Sequence, residues 1–145
     1  MIELATVEDT IDAPIAAIWA VVTDFSHPQR LAPTIDSAET TGTGVGAVRV
    51  VRSSRGLNIH EELVACDPAR YLFRYAVLDS GDMPFANVTR YECTVRLHAV
   101  SAQRTRIGWR SEGAVEGPIA PIRAFLETLY RNANRNIADQ IGTMG

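Results

Sequence analysis

Apolar and polar residues alternate along most of this chain, and only its last part changes to helical spacing. Glu3 to Asp12 alternates loosely and predicts a first strand that ends at Asp12-Ala13-Pro14. Asp12 suits a helix N-cap and Pro14 a first helical turn. Ile15, Ile18, Trp19 and Val22 then predict a short amphipathic helix to about Thr23. Asp24-Phe25-Ser26-His27-Pro28 breaks it, and a second short helix or turn is expected over Gln29 to Ala32, before Pro33. From Thr34 to Glu116 strand follows strand: Ile35–Thr41, Ala47–Ser53, Leu57–Cys66, Tyr71–Leu78, Asn87–Ala99 and Arg104–Glu116. Gly, Asp and Pro punctuate short joints, which implies antiparallel neighbours. After Gly117-Pro118, the residues Ile122, Phe125, Leu126, Leu129, Ala133, Ile137 and Ile141 form the apolar stripe of a long helix. A strand meander with one long amphipathic helix must curl around that helix to bury both, and a wide sheet leaves a cavity beside it. The expected class is α+β: a curved antiparallel sheet of about seven strands wrapped around a long C-terminal helix, with two short helices after the first strand. No repeat or linker divides residues 1–145, which read as a single domain.

Two charges break the apolar alternation. A hairpin turn at Ser54-Arg55-Gly56 sets Ser53 opposite Leu57, Val51 opposite Ile59 and Arg49 opposite Glu61. Leu57, Ile59, Glu61, Leu63 and Ala65 then share one face, which is otherwise apolar and points inward. A charge placed there must be paired, because desolvating an isolated one costs several kcal/mol. Extending the register sets Glu61 opposite Tyr75, Tyr75 opposite Tyr91 and Val95 opposite Trp109. Arg49, Glu61, Tyr75 and Tyr91 form a polar belt that can orient a carbonyl, carboxylate or phenol in an apolar cavity. The competing reading is a buried structural network in which these groups satisfy one another. Ile59, Cys93, Trp109, Phe125 and Leu129 complete the expected lining, with Met83 and Phe85 of the loop Asp79 to Ala86 at its mouth as a gate or a hydrophobic plug. Alternation turns Cys66 outward and Cys93 inward, so no disulfide joins them. Glu92, Arg96, Arg106, Arg110 and Glu112 point outward as solvated cross-strand charges.

Composition removes several classes of function. The formal net charge of -3 argues against a nucleic-acid surface. All 14 lysine-or-arginine positions are arginine, so lysine chemistry has no residue to use. His27, His60 and His98 lack metal-ligand spacing, no Gly-rich phosphate loop follows a strand, and Ser53 and Ser54 lack a base. No metal and no cofactor are expected. With no signal segment or membrane-length apolar run, the expectation is a cytoplasmic protein without membrane insertion, as monomer or homodimer.

Ile11-Asp12-Ala13-Pro14 leading to Ile18-Trp19 and Asp24-Phe25, then Gly46-Ala47-Val48-Arg49, His60-Glu61-Glu62-Leu63, Tyr91 and Ile107-Gly108-Trp109 follow one another along nearly the whole chain. In that order they resemble the START-like (SRPBCC) superfamily, which includes polyketide cyclase/dehydrase and lipid-transport proteins. One departure is Leu31, where many bacterial members carry tryptophan. The resemblance implies a helix-grip fold and a hydrophobic small-molecule partner: polyketide-like, aromatic, isoprenoid or lipid. It also implies two alternatives. One is a polyketide cyclase/dehydratase-type enzyme using Arg49, Glu61 and Tyr91 for acid/base catalysis. The other is a ligand-responsive, partner-binding regulator. The positions matching Glu61 and Tyr91 face the pocket in the abscisic-acid receptors of this superfamily.

Overall fold

Alternation puts one side of each long strand into the core. Thr105, Ile107, Trp109 and Ser111 are buried along one strand, and Tyr91, Cys93, Val95 and Leu97 along its neighbour. The structure, a computed structural model, describes residues 1–53, 58–78 and 87–144. The elements are β1 (Ile2–Ile11), α1 (Ile15–Val22), a 3-10 turn (Pro28–Arg30), β2 (Ile35–Thr41), β3 (Val48–Ser53), β4 (Asn58–Asp67), β5 (Leu72–Val77), β6 (Val88–Ser101), β7 (Arg104–Val115) and α2 (Ala120–Met144). The strands form one antiparallel seven-stranded sheet in the order β1-β7-β6-β5-β4-β3-β2. The meander is continuous from β2 to β7, and β1 closes on β7. This is the expected α+β class, with a single 3-10 turn in place of the second short helix.

The α2 helix lies against β1 and buries Ile122, Leu126, Tyr130, Ala133, Asn134 and Ile137. Phe125 and Leu129, expected within the apolar stripe, are 42% and 37% exposed. Arg123 Nε donates to the Leu4 carbonyl at 2.8 Å and fastens the start of the helix to β1. Asp12 does not cap α1: the N-cap is Pro14, without a side-chain hydrogen bond, and Asp12 instead accepts from Arg104 Nε at 2.9 Å.

The register agrees with the sequence reading at two hairpins and departs from it between them. Arg49 faces Glu61, Val51 faces Ile59, and Val95 faces Trp109. Glu61, however, faces Val77 rather than Tyr75, and Tyr75 faces Cys93 rather than Tyr91. The β4–β5 turn spans Pro68 to Tyr71, with Asp67 paired to Leu72, and Tyr71 takes a left-handed φ of 50°. A bulge at Val64 then takes one position back. The net displacement is even, so Glu61 and Tyr75 keep the inward face. Between bulge and turn the alternation reverses, so Cys66 sits opposite Phe73 and packs against the core instead of pointing outward. Both cysteines are free thiols. The Ser54-Arg55-Gly56 turn, the Ser53–Leu57 pair and the loop carrying Met83 and Phe85 lie outside the described residues.

Gly113 is where β6, β7 and β1 crowd together. A Cβ there would stand 2.2 Å from the Arg90 carbonyl oxygen and 2.8 Å from Leu4 Cδ1. Gly113→Ala is therefore expected to destabilise the fold by about 2 kcal/mol or more. Chemical denaturation checks this, and an unchanged midpoint refutes the packing argument.

Candidate functional site

Arg49 and Glu61 occupy paired inward positions on β3 and β4, and both are buried, at 5% and 9% exposure. Arg49 Nε donates to Glu61 Oε1 at 2.8 Å, and Nη1 donates to the Phe25 carbonyl at 2.9 Å. The break after α1 brings that carbonyl inward. The guanidinium carbon lies 4.3 Å from the centre of the Phe25 ring and 5.3 Å from that of Tyr75. Ion pairing, a backbone acceptor and aromatic faces together offset the desolvation of the charge.

The pair borders a cavity of about 210 Å³ beneath α2. Ile59, Tyr75 and Trp109 line it from the sheet, and Phe125 and Leu129 from the helix. Tyr91 and Cys93, also expected in the lining, stand behind it. Sequence reasoning missed Tyr130 of α2 and the Pro28 to Ile35 segment, both of which border the cavity. The segment is tied to α2 by Arg30 Nε donating to Gln140 Oε1 at 3.0 Å and Asn136 Nδ2 donating to the Leu31 carbonyl at 2.7 Å. The four-residue spacing of Ile122, Leu126, Tyr130 and Asn134 was the signal for the buried stripe, masked by its polar ends.

Behind the cavity sits a neutral polar cluster. The Tyr91 and Tyr130 hydroxyls hydrogen-bond each other, and the Cys93 thiol and the Ser111 hydroxyl, which donates to the Ala5 carbonyl at 3.5 Å, are buried beside them. Burial pushes all three phenols well above their ordinary range. Burial also raises the Cys93 thiol to about 11, against the opposing pull of the neighbouring tyrosine hydroxyls. At neutral pH these groups are protonated donors, and Cys93 is no thiolate nucleophile. The Trp109 ring stacks on Tyr130 at 5.2 Å, and its Nε1 donates to Asn134 Oδ1 at 2.6 Å. Asn134 Nδ2 donates in turn to Asp9 Oδ2 at 2.8 Å, and Arg131 holds Asp9 Oδ1 at 2.7 Å.

On the opposite face of the sheet, Arg74–Glu92 at 2.7 Å, Arg106–Glu8 at 3.0 Å and Arg110–Glu3 at 3.3 Å are cross-strand ion pairs. Such pairs contribute little stability individually. Among the described residues, no three His, Cys, Asp or Glu side chains gather to hold a metal ion, and no helix is long and apolar enough to cross a membrane.

Arg49→Met leaves Glu61 as an unpaired buried carboxylate and is expected to cost about 3–5 kcal/mol, whereas Arg49→Met with Glu61→Leu recovers most of that loss. Urea denaturation of both variants checks this; a double variant no more stable than the single one argues against the pairing. A second expectation concerns alkaline pH. The buried phenols and thiol hold their protons more tightly folded than unfolded, so their stabilisation is present at lower pH and lost as pH rises. The loss begins near the ordinary thiol value of 9.0 and steepens above the ordinary phenol value of 10.0. Tyr91→Phe and Cys93→Ala should flatten that decline, measured as denaturation midpoint against pH; an identical slope would exclude the cluster as its source.

The sequence profile of the polyketide cyclase/dehydrase and lipid transport family matches residues 4–142. No curated protein matches the chain by sequence. Among solved structures, XoxI of Bacillus cereus is 19% identical with a TM-score of 0.81, over 97% of this chain and 95% of that one. A Nitrosospira multiformis protein is 20% identical with a TM-score of 0.75, over 93% and 94% of the two chains. Norcoclaurine synthase of Thalictrum flavum, solved in complex with dopamine and hydroxybenzaldehyde, is 18% identical with a TM-score of 0.77, over 97% and 86%. These likenesses establish a shared helix-grip fold. With its profile match along nearly the full length, the chain belongs to the polyketide cyclase/dehydrase and lipid transport family, within the START-like (SRPBCC) superfamily.

Proposed function

We propose that this protein binds an apolar small molecule carrying one polar handle, seated in the cavity between α2 and the sheet. The observation that carries this reading is the buried Arg49–Glu61 pair bordering a cavity that is otherwise largely apolar. A dry core is generally served as well or better by packed hydrophobic residues, whereas a charged couple beside an open volume can orient a ligand. Polyketide-like, aromatic, isoprenoid and fatty compounds are the candidate classes, in keeping with the family. The exposed Phe125 and Leu129 would greet the apolar part of such a ligand at the entrance.

Tyr75 and Tyr130 favour a second reading, because both border the same cavity as the ion pair. In a cyclase or dehydratase, Arg49 would stabilise an enolate or alkoxide while a neutral tyrosine or Glu61 transfers the proton. Tyr130 suits the donor role better than Tyr91, which stands behind it.

Native mass spectrometry of the freshly purified protein, with displacement of an environment-sensitive apolar dye, tests binding. A co-purified apolar compound, or dye displaced by small apolar molecules, is the expected result; neither would end the binding reading. For catalysis, Glu61→Gln and Tyr130→Phe should each lower turnover of a polyketide-like substrate by about a hundredfold or more while ligand affinity remains measurable.

A further inference from the structure

Arg49 and Glu61 have hydrogen-bonding capacity that the fold leaves unused. Arg49 spends Nε on Glu61 Oε1 and one N–H of Nη1 on the Phe25 carbonyl, and these bonds use neither Nη2 nor Glu61 Oε2. Phe25 and Tyr75 lie over the guanidinium, at 4.3 Å and 5.3 Å, so its edge is the approach left to a ligand. A ligand therefore meets guanidinium N–H groups not taken by Glu61 or Phe25, beside one carboxylate acceptor. A ligand carboxylate would set a second anion against a guanidinium that Glu61 already neutralises, with the Glu61 carboxylate close beside it. A ketone or ether would use Nη2 and leave the Glu61 oxygen without a donor. A hydroxyl satisfies both groups at once, because its oxygen accepts while its hydrogen is donated.

The walls and the volume narrow the choice further. Tyr75, Phe125 and the stacked Trp109–Tyr130 pair present aromatic surfaces, which suit a flat ring. An apolar protein cavity of about 150 Å³ takes benzene, and sites for drug-sized ligands begin near about 300 Å³. At about 210 Å³ this cavity matches one substituted ring and is small for a fused polycycle or a long acyl chain. We propose that the cavity selects a single-ring phenol in its neutral form, with the hydroxyl bridging Arg49 and Glu61. This inference rests on the ligand-binding reading above and specifies its chemistry.

The test is calorimetric titration of the full chain with para-ethylphenol, its methyl ether para-ethylanisole, para-ethylbenzoate, hydroxyanthracene and hexadecanoate. The phenol is expected to bind about tenfold or more tightly than the ether and the benzoate. The polycycle and the fatty acid should bind more weakly still. Glu61→Gln removes the competing anion, so the preference for phenol over benzoate should fall toward equality. The preference is a ratio within one protein, so the wild-type series decides even if that variant does not fold. Ether or benzoate binding as tightly as phenol overturns the hydroxyl assignment. Hexadecanoate or hydroxyanthracene binding as tightly as the phenol overturns the single-ring assignment and leaves the ligand-binding reading standing. If no compound of the series binds, the phenol assignment is overturned, and the dye displacement described above decides separately whether the ligand-binding reading stands.

Discussion

A guanidinium buried inside an antiparallel sheet imposes conditions on everything around it. Arg49 needs an anion, and among the described residues the directly opposed position on β4 supplies it, so β3 and β4 cannot slip by a residue without exposing one charge and stranding the other. It also needs an acceptor for Nη1, which the Phe25 carbonyl provides once the chain breaks out of α1. Its faces need cover, which Phe25 and Tyr75 supply from two further parts of the fold. One side chain thus joins β3, β4, β5 and the segment after α1.

The seating of α2 depends on a second, uncharged network. Tyr130 and Asn134 sit on the helix face that meets the sheet, where the first bonds Tyr91 and the second bonds Trp109 and Asp9. These bonds are directional, and with Arg123 on the Leu4 carbonyl they set the distance and rotation of the helix. The helix is fastened to β1 and β7, and β3 and β4 border the cavity. The cavity lies between the two networks, one charged and one neutral.

That arrangement bears on how family membership is read. A fold of this kind hosts many chemistries, and function resides in the groups that reach the cavity. Here those groups are one compensated ion pair and tyrosines whose burial keeps them protonated. They are suited to positioning a polar atom and, given a reactive ligand, to moving a proton.

Much of the architecture was legible from alternation alone, because side-chain period is a local property of the backbone. The span of β2, the pairing of Arg49 with Glu61 and of Val95 with Trp109, and the long terminal helix all followed from it. What alternation does not encode is where a strand gains a residue or how many residues a turn holds. The bulge at Val64 and the Pro68–Tyr71 turn moved Glu61 opposite Val77 and turned Cys66 inward. Nor does a helical stripe say which of its residues meet the sheet and which border open space. Tyr130 and Asn134 took the buried positions, while Phe125 and Leu129 were left at the mouth. The sequence by itself determined that a charged couple would lie inside an antiparallel sheet closed over a helix. Tertiary structure decided which aromatic groups share the cavity with it, because cross-strand hydrogen bonding and helix rotation are settled between segments, not within them.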